Sequence, residues 1–276
     1  DKIEKKGQQI HLIGFHGQTL LHSPEEKISI QLGDGKLLSQ ITKIKVVFDF
    51  RSNDLKNGGQ GAPLSPIFHQ LLVKQKKIKI PITILNLGGI ANATFINKDS
   101  SISSLDIGPG NCLIDTWIRL NSDQYYDKGG KIASSGKINK IILDQSIENF
   151  SYSQTKQKKS YDTNDFNLSF VKGLSLKDGA ATLTEFTAKI CSDKLKNQNI
   201  YVCGGGRKNK FLINSLKSKI NNKIFNIDDL NIDGDYIESQ AFAFLAIRSY
   251  LGLPTSFPST TNCKKASVGG TIIKNS

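Results

Sequence analysis

Pro81-Ile-Thr-Ile-Leu-Asn-Leu-Gly-Gly-Ile-Ala-Asn92 and Ile102-Ser-Ser-Leu-Asp-Ile-Gly-Pro-Gly-Asn111 decide the fold. Each is a short apolar run that stops in glycines, the pattern of a buried strand delivered into a tight corner. Pro81–Leu87, Ala93–Asn97 and Ile102–Ile107 predict three short strands in a meander. Asn111–Leu120, leaving the second glycine turn, reads as a helix, on which Trp117 is expected in the core.

The same theme recurs outward from this centre. Downstream, Ile200–Cys203 predicts a strand, Gly204, Gly205 and Gly206 a turn, and Asn209–Ile220 a helix. Asp178–Lys194 places Ala180, Leu183, Phe186, Thr187 and Ile190 on one face and is expected to be an amphipathic helix. Asp235–Leu251 is the strongest helix signal, stopped by Gly252 and Pro254. Ser151–Ser160 is polar and lysine-rich and reads as a loop. Upstream, Gln9–Phe15 and Ile44–Phe48 predict strands buried on both faces, with a short helix over Lys36–Ile41 between them. Pro63–Lys74 predicts a helix with Pro63 in its first turn, where no N–H is needed. Strands that alternate with helices and end in glycine turns make this an α/β chain whose ligand lies at those turns.

The glycines cluster in Asn57-Gly-Gly-Gln-Gly61, Leu87-Gly-Gly-Ile-Ala-Asn92, Asp106-Ile-Gly-Pro-Gly-Asn111, Lys128-Gly-Gly130 and Cys203-Gly-Gly-Gly-Arg207. A backbone without side chains brings several N–H groups close to a phosphate, and a helix beginning there adds its positive end. One such turn alone is more simply a corner that needs positive φ. Several together, each after an apolar strand, suit a nucleotide polyphosphate. Neither G-x-x-x-x-G-K-[ST] nor G-x-G-x-x-G occurs, so the P-loop and the common dinucleotide fingerprint do not apply.

Composition narrows the partners. The net charge is +13, but only Arg51, Arg119, Arg207 and Arg248 among the 37 basic residues are arginine. Bidentate readers of phosphate and guanine are therefore scarce, and the dispersed lysines, travelling with Ile and Asn, read as a solvated surface rather than a nucleic-acid groove. Tyr125 and Tyr126 are the one adjacent aromatic pair such a groove would use. No long apolar run predicts a membrane span. Cys112, Cys191, Cys203 and Cys263 lie far apart with no CxxC and no His at ligand spacing, so neither a zinc site nor a disulfide scaffold is indicated, and a reducing cytoplasm fits.

Gly14-Phe-His-Gly-Gln-Thr19, Asp49-Phe-Arg-Ser-Asn-Asp54 running into Gly58-Gly-Gln-Gly-Ala-Pro-Leu64, Leu85 to Asn92, Asp106 to Asn111, Val202-Cys-Gly-Gly-Gly206 with Asn209, and Glu238 before Ala241-Phe-Ala243 closely resemble anhydro-N-acetylmuramic acid kinases, in order and over nearly the whole chain. The resemblance implies the actin-like ATPase (ribonuclease H-like) fold, two lobes closing on ATP with Mg²⁺, and an enzyme that opens and phosphorylates a 1,6-anhydro amino sugar from peptidoglycan. It divides the chain at 1–80 (first lobe, substrate side), 81–251 (second lobe, phosphate and adenosine motifs) and 252–276 (a segment returning toward the first lobe). A homodimer is expected. The family also opens with a Gly-Thr-Ser-x-Asp-Gly hairpin that nothing in these residues matches, so a fragment with an incomplete first lobe, inactive by itself, is expected. Where the family has Lys-Ser-Thr-Gly-Arg-Glu, this chain reads Lys159-Ser-Tyr-Asp-Thr-Asn164, with Thr163 in place of the arginine.

Roles follow from the motif positions. Asp106, at a strand end beside a phosphate turn, is expected to be the general base; the plainer alternative is a carboxylate capping its own turn. Asp54 is the second candidate, with a local salt bridge to Arg51 as its alternative, and Asp49 is expected to make a structural hydrogen bond. His16, Gln18, Arg51, Asp54, Asn92 and Glu238 are expected on the sugar, although a lone histidine is as readily structural and Glu238 suits a helix N-terminus without any ligand. Gly88, Gly89, Gly108, Gly110 and Asn111 are expected on the phosphates, with Asn86 nearby, and Gly204, Gly205, Gly206 and Asn209 on the adenosine. No residue is assigned to the metal. A related sugar or acyl-phosphate kinase and a non-catalytic nucleotide- or partner-binding lobe are the alternatives, since fold alone does not choose a substrate.

Overall fold

The computed structural model describes residues 9–154, 161–195 and 198–273. They form β1 (Leu12–Gly14), β2 (Gln18–Ser23), β3 (Ile28–Leu32), α1 (Gly35–Thr42), β4 (Lys45–Phe48), α2 (Ser52–Lys56), α3 (Pro66–Gln75), β5 (Ile82–Leu87), β6 (Ile90–Ile96) and β7 (Ile102–Pro109). There follow α4 (Cys112–Asn121), α5 (Lys140–Gln154), α6 (Leu176–Lys194), β8 (Asn199–Cys203), α7 (Lys210–Lys219), β9 (Ile224–Asn226), α8 (Ile237–Tyr250) and β10 (Thr271–Ile273). The chain divides into a unit of residues up to Leu72 and from Glu238 onward, and a second unit, Val73–Ile237. Both are α/β, as the strand and turn pattern predicts.

In the first unit β1 runs parallel and β10 antiparallel to the central β4. Val46 and Val47 are fully buried because β4 has a neighbour on each side. β1 is half-buried instead of buried on both faces as expected, since it lies at the sheet edge. Phe50, Leu64, Leu245 and Ala246 close over Val47. α8 thus packs in this unit, whereas the resemblance places residues up to 251 in the second lobe. Helix α1 is capped by Asp34, whose Oδ1 accepts from the N–H groups of Lys36 (2.8 Å) and Leu37 (3.1 Å). Pro66, not Pro63, sits in the first turn of α3, because the Ser65 carbonyl accepts the first helical bonds, from Phe68 and His69. The hairpin β2–β3 escapes the sequence pattern altogether.

The second unit is built on a sheet of order β7-β6-β5-β8-β9, in which the predicted meander is antiparallel and β8 and β9 continue it in parallel. Helix α6 is buried well beyond one stripe: Thr182, Thr184 and Thr187 are as inaccessible as Leu183. It packs against α4, α5, α7 and β7. Trp117 is core, its Nε1 donating to the Leu176 carbonyl at 2.9 Å, and a Cβ on Gly179 would collide with its ring. Helix α5 overturns part of the expected 151–160 loop by running through Gln154; residues 155–160 lie outside the described ones. Phe150 holds it to α6 through an edge-on contact with Phe186 at 5.8 Å.

Candidate functional site

Each unit brings together its own share of the expected residues. In the first, the Gly58–Gly61 turn is organised from below by Asp54, which is only 1% exposed. Its Oδ2 accepts from the Gly61 N–H (2.7 Å) and its Oδ1 from the Thr261 hydroxyl (2.6 Å). Gly59 is glycine because a Cβ there would run into that carboxylate. Arg51 donates from Nη1 to the Gly61 carbonyl (2.6 Å) and from Nε to His16 Nε2 (3.0 Å). His16 Nδ1 is 2.7 Å from the Gly17 carbonyl, and the ring lies 4.1 Å from that of Phe242. Burial first, then the Arg51 charge, push the His16 pKa down to about 4, so the ring is neutral, with Nδ1–H donating and Nε2 accepting. Both nitrogens are thereby occupied within the protein.

Gln18 stands exposed in β2, and Glu238 exposed in the first turn of α8. Asp49, at positive φ after β4, accepts from the Ser52 hydroxyl, the structural bond expected of it.

In the second unit three glycine corners meet. The N–H groups of Gly110 and Cys112 donate to the Gly89 carbonyl (2.9 and 3.1 Å) and that of Asn111 to the Gly88 carbonyl (2.8 Å). The Asn111 side-chain amide donates to the carbonyls of Leu87 (2.8 Å) and Gly88 (3.0 Å). A Cβ on Gly110 would strike the Gly88 carbonyl, one on Gly204 the Asn86 side chain, and one on Gly206 would lie 2.6 Å from Leu87 Cβ. These residues let the corners close on one another, and the Gly110 and Asn111 amides are spent in doing so. Around Gly205, by contrast, nothing lies within 4 Å of an added Cβ. Asn209 caps α7, its Oδ1 accepting from the Leu212 N–H at 3.0 Å.

Asp106 lies on β7 opposite Asn92 of β6, which in turn pairs with Asn86 of β5. It is 9% exposed, and its Oδ2 accepts from the Tyr161 N–H at 3.1 Å. Gly108 follows at φ +159°, with Ile190 and Phe150 filling the space of a side chain. Thr163 lies against this region too, its Cγ2 3.8 Å from where a Gly89 Cβ would stand. Cys112 opens α4, but burial raises its thiol to about 11, which leaves it un-ionised.

Beside Gly205 opens a pocket of about 300 Å³. Of the expected residues, Asn111, Gly205 and Asn209 line it; Asp115, Tyr126 and Lys208 are further lining residues that motif reading did not assign. Arg207 was also unassigned. Its side chain is 3% exposed, pairs with Asp228 (3.0 Å) and Asp235 (2.7 Å), and donates from Nη1 to the Gly204 carbonyl (3.1 Å). Its position directly after Gly206 was the available signal; the acids that neutralise it are remote in sequence.

Among the described residues no group of three or more His, Cys, Asp or Glu is arranged to hold a metal ion, and no helix is long and apolar enough to cross a membrane.

Comparison with known proteins identifies the family. The family model for anhydro-N-acetylmuramic acid kinase matches residues 2–275. The protein of that name from Pelagibacter ubique (strain HTCC1062) is 50% identical over 286 residues, 99% of this chain and 76% of the relative. That from Zymomonas mobilis subsp. mobilis is 41% identical, over 96% of this chain and 73% of the relative. Among solved structures, the Acidaminococcus fermentans (R)-2-hydroxyglutaryl-CoA dehydratase component A aligns over 81% of this chain and 88% of that one, with 12% identity and a TM-score of 0.46.

Proposed function

Since this chain belongs to the anhydro-N-acetylmuramic acid kinase family, we propose that it uses ATP and water to convert 1,6-anhydro-N-acetylmuramic acid to N-acetylmuramic acid 6-phosphate in peptidoglycan recycling. The observation that supports this chemistry is Asp106, a nearly buried carboxylate on β7 leading into the Gly108–Gly110 corner. There it takes a proton from water as the water oxygen attacks C1. The C1–O6 bond breaks with its electron pair on O6, and O6 attacks the γ-phosphorus and displaces ADP. The proton held on Asp106 then passes to solvent, so one carboxylate serves both bond changes.

Around it, the interlocked Gly88–Gly89 and Gly110–Asn111 corners supply a backbone that phosphates approach without meeting side chains. Gly204–Gly206 and Asn209, with the pocket beside them, take the adenosine. In the first unit Arg51, His16 and Asp54 shape the Gly58–Gly61 turn on the sugar side, and Asn92, Gln18 and Glu238 are the remaining sugar-side candidates. Magnesium arriving with ATP needs only one or two carboxylates besides the phosphates, which fits a donor set of isolated carboxylates, and it would neutralise charge on the transferred group. The cytoplasm is the proposed compartment, consistent with four free cysteines. The homodimer rests on resemblance alone, and sedimentation decides it.

The decisive experiment is turnover in ¹⁸O-water with mass spectrometry of the product. The label is expected on the C1 hydroxyl. Phosphorylation of an intact anhydro ring, or label in the phosphoryl group, refutes the coupled reaction.

A further inference from the structure

Helix α4 leaves the Asp106–Asn111 corner, and one turn on, about 6 Å along the axis, its Asp115 lines the 300 Å³ pocket shared with Gly205 and Asn209. The carboxylate is half-buried and accepts no hydrogen bond from any described residue. Arg119, the nearest cation along the helix, instead donates to the Thr116 hydroxyl (3.0 Å) and the Tyr125 carbonyl (3.4 Å). Asp127, which also lines the pocket, directs both oxygens into the protein, accepting from the N–H groups of Ile132 (2.8 Å) and Ala133 (2.9 Å). Lys208 is bound to Asp235. Asp115 is therefore the pocket carboxylate whose acceptors the protein itself leaves unused. A half-buried carboxylate in that condition is costly unless a ligand brings donors to it.

We infer that Asp115 reads the ribose of the nucleotide, its two oxygens accepting from the 2′- and 3′-hydroxyls. This rests on the proposed reading of the pocket as the adenosine site. The ribose is the part of ATP directly attached to the phosphates, and Asp115 is the pocket-lining carboxylate one turn beyond the phosphate corner. A vicinal diol presents two donors to the two carboxylate oxygens, a match that an aromatic ring face does not offer.

The electrostatics of the pocket point the same way. Burial, opposed by the Arg119 charge and reinforced by Asp127, raises the Asp115 pKa to about 6. Charged or titratable groups facing it are Cys112, Arg119, Asp127, Lys208, Asp235 and Tyr126. Donors from a ribose favour the ionised form, so binding lowers this pKa and nucleotide affinity weakens as pH falls below about 6.

The test measures binding by calorimetry for ATP, 2′-deoxy-ATP and 3′-deoxy-ATP, with the protein and with Asp115→Asn. Loss of a hydroxyl should weaken binding to the unaltered protein about tenfold, as expected for a hydrogen bond to a charged group. Asp115→Asn should bind ATP about tenfold more weakly and discriminate among the three nucleotides by less than twofold. Between pH 5 and 7, the difference in ATP affinity between the two proteins should shrink as the pH drops, which cancels titration of the nucleotide itself. Asp115→Asn should melt no lower than the unaltered protein, since it removes a desolvated charge. An undiminished deoxy penalty in Asp115→Asn overturns the assignment to Asp115. Failure of the unaltered protein to bind ATP at all overturns the adenosine reading beneath it, and that arm is separate.

Discussion

The two units each bury a carboxylate beside a glycine turn, and they set it in different surroundings. Asp54 is enclosed, with Gly61 and Thr261 donating to its two oxygens and Gly59 leaving room for it; it serves as the keel of its own loop. Asp106 stands on β7 just before the Gly108–Gly110 corner, which is bonded to the Gly88–Gly89 corner through backbone and Asn111 bonds. The bonds that join those corners run between backbone groups and the Asn111 amide, while an Asp106 oxygen accepts from the Tyr161 N–H. Burial beside glycine thus marks a supporting carboxylate as readily as one proposed to react. The measurement that separates them is whether the turn survives loss of the carboxylate.

Substitution at the two acids is the sharpest way to break that contrast. Asp106→Asn should keep ATP binding and the melting temperature while turnover drops by about 10² or more. A variant with near-normal kcat would return the base role to Asp54. Asp54→Ala should do the reverse in kind, lowering stability by about 3 kcal/mol because the Gly61 N–H and Thr261 hydroxyl lose a buried acceptor. Denaturant melts check it, and an unchanged midpoint would show that the loop stands without its keel.

Acid should weaken the first unit through His69 and His16. Burial lowers His69 from 6.5 to about 4, so between those values the unfolded chain binds the proton that the folded one refuses. Stability should therefore fall as pH drops through that window, by about 2 kcal/mol for His69 between pH 7 and 5. His16, lowered to about 4 as well, adds a smaller share because it is less enclosed. A His69→Gln protein should show a shallower slope in melts across pH 4–7; an unaltered slope would assign the effect elsewhere.

The smallest stability change belongs to Gly205→Ala, where a Cβ meets nothing and the melt should shift by less than about 0.5 kcal/mol. ATP affinity should nevertheless drop several-fold in calorimetry, since the added methyl faces the pocket. Gly110→Ala makes the paired control, destabilising by about 1–3 kcal/mol through the Gly88 carbonyl.

How much of this was legible depended on whether the signal was local. The 81–111 meander was, because each apolar run ends at its own glycines. The β2–β3 hairpin was not: its turn over residues 24–27 places Lys27 rather than glycine at positive φ, and Leu20, Ile30 and Leu32 lie on exposed positions that blur the alternation. β9 and β10 have only three residues each, too few to show a period. The motif positions of the corners were readable, but that the Gly110 and Asn111 amides serve the corner itself was not. Asp115 looked like any acid in a first helical turn, and Arg207 needed Asp228 and Asp235 to arrive from elsewhere in the chain.

Helix α6 supplies a means of observing the second unit without any assay of chemistry. Its residues from Gly179 to Cys191 are almost all inaccessible, so their amide protons should exchange with solvent only when the unit opens as a whole. Their exchange rates are then a clock for the stability of Val73–Ile237. Any nucleotide that binds the folded unit alone must slow that clock, by a factor set by its concentration over its Kd.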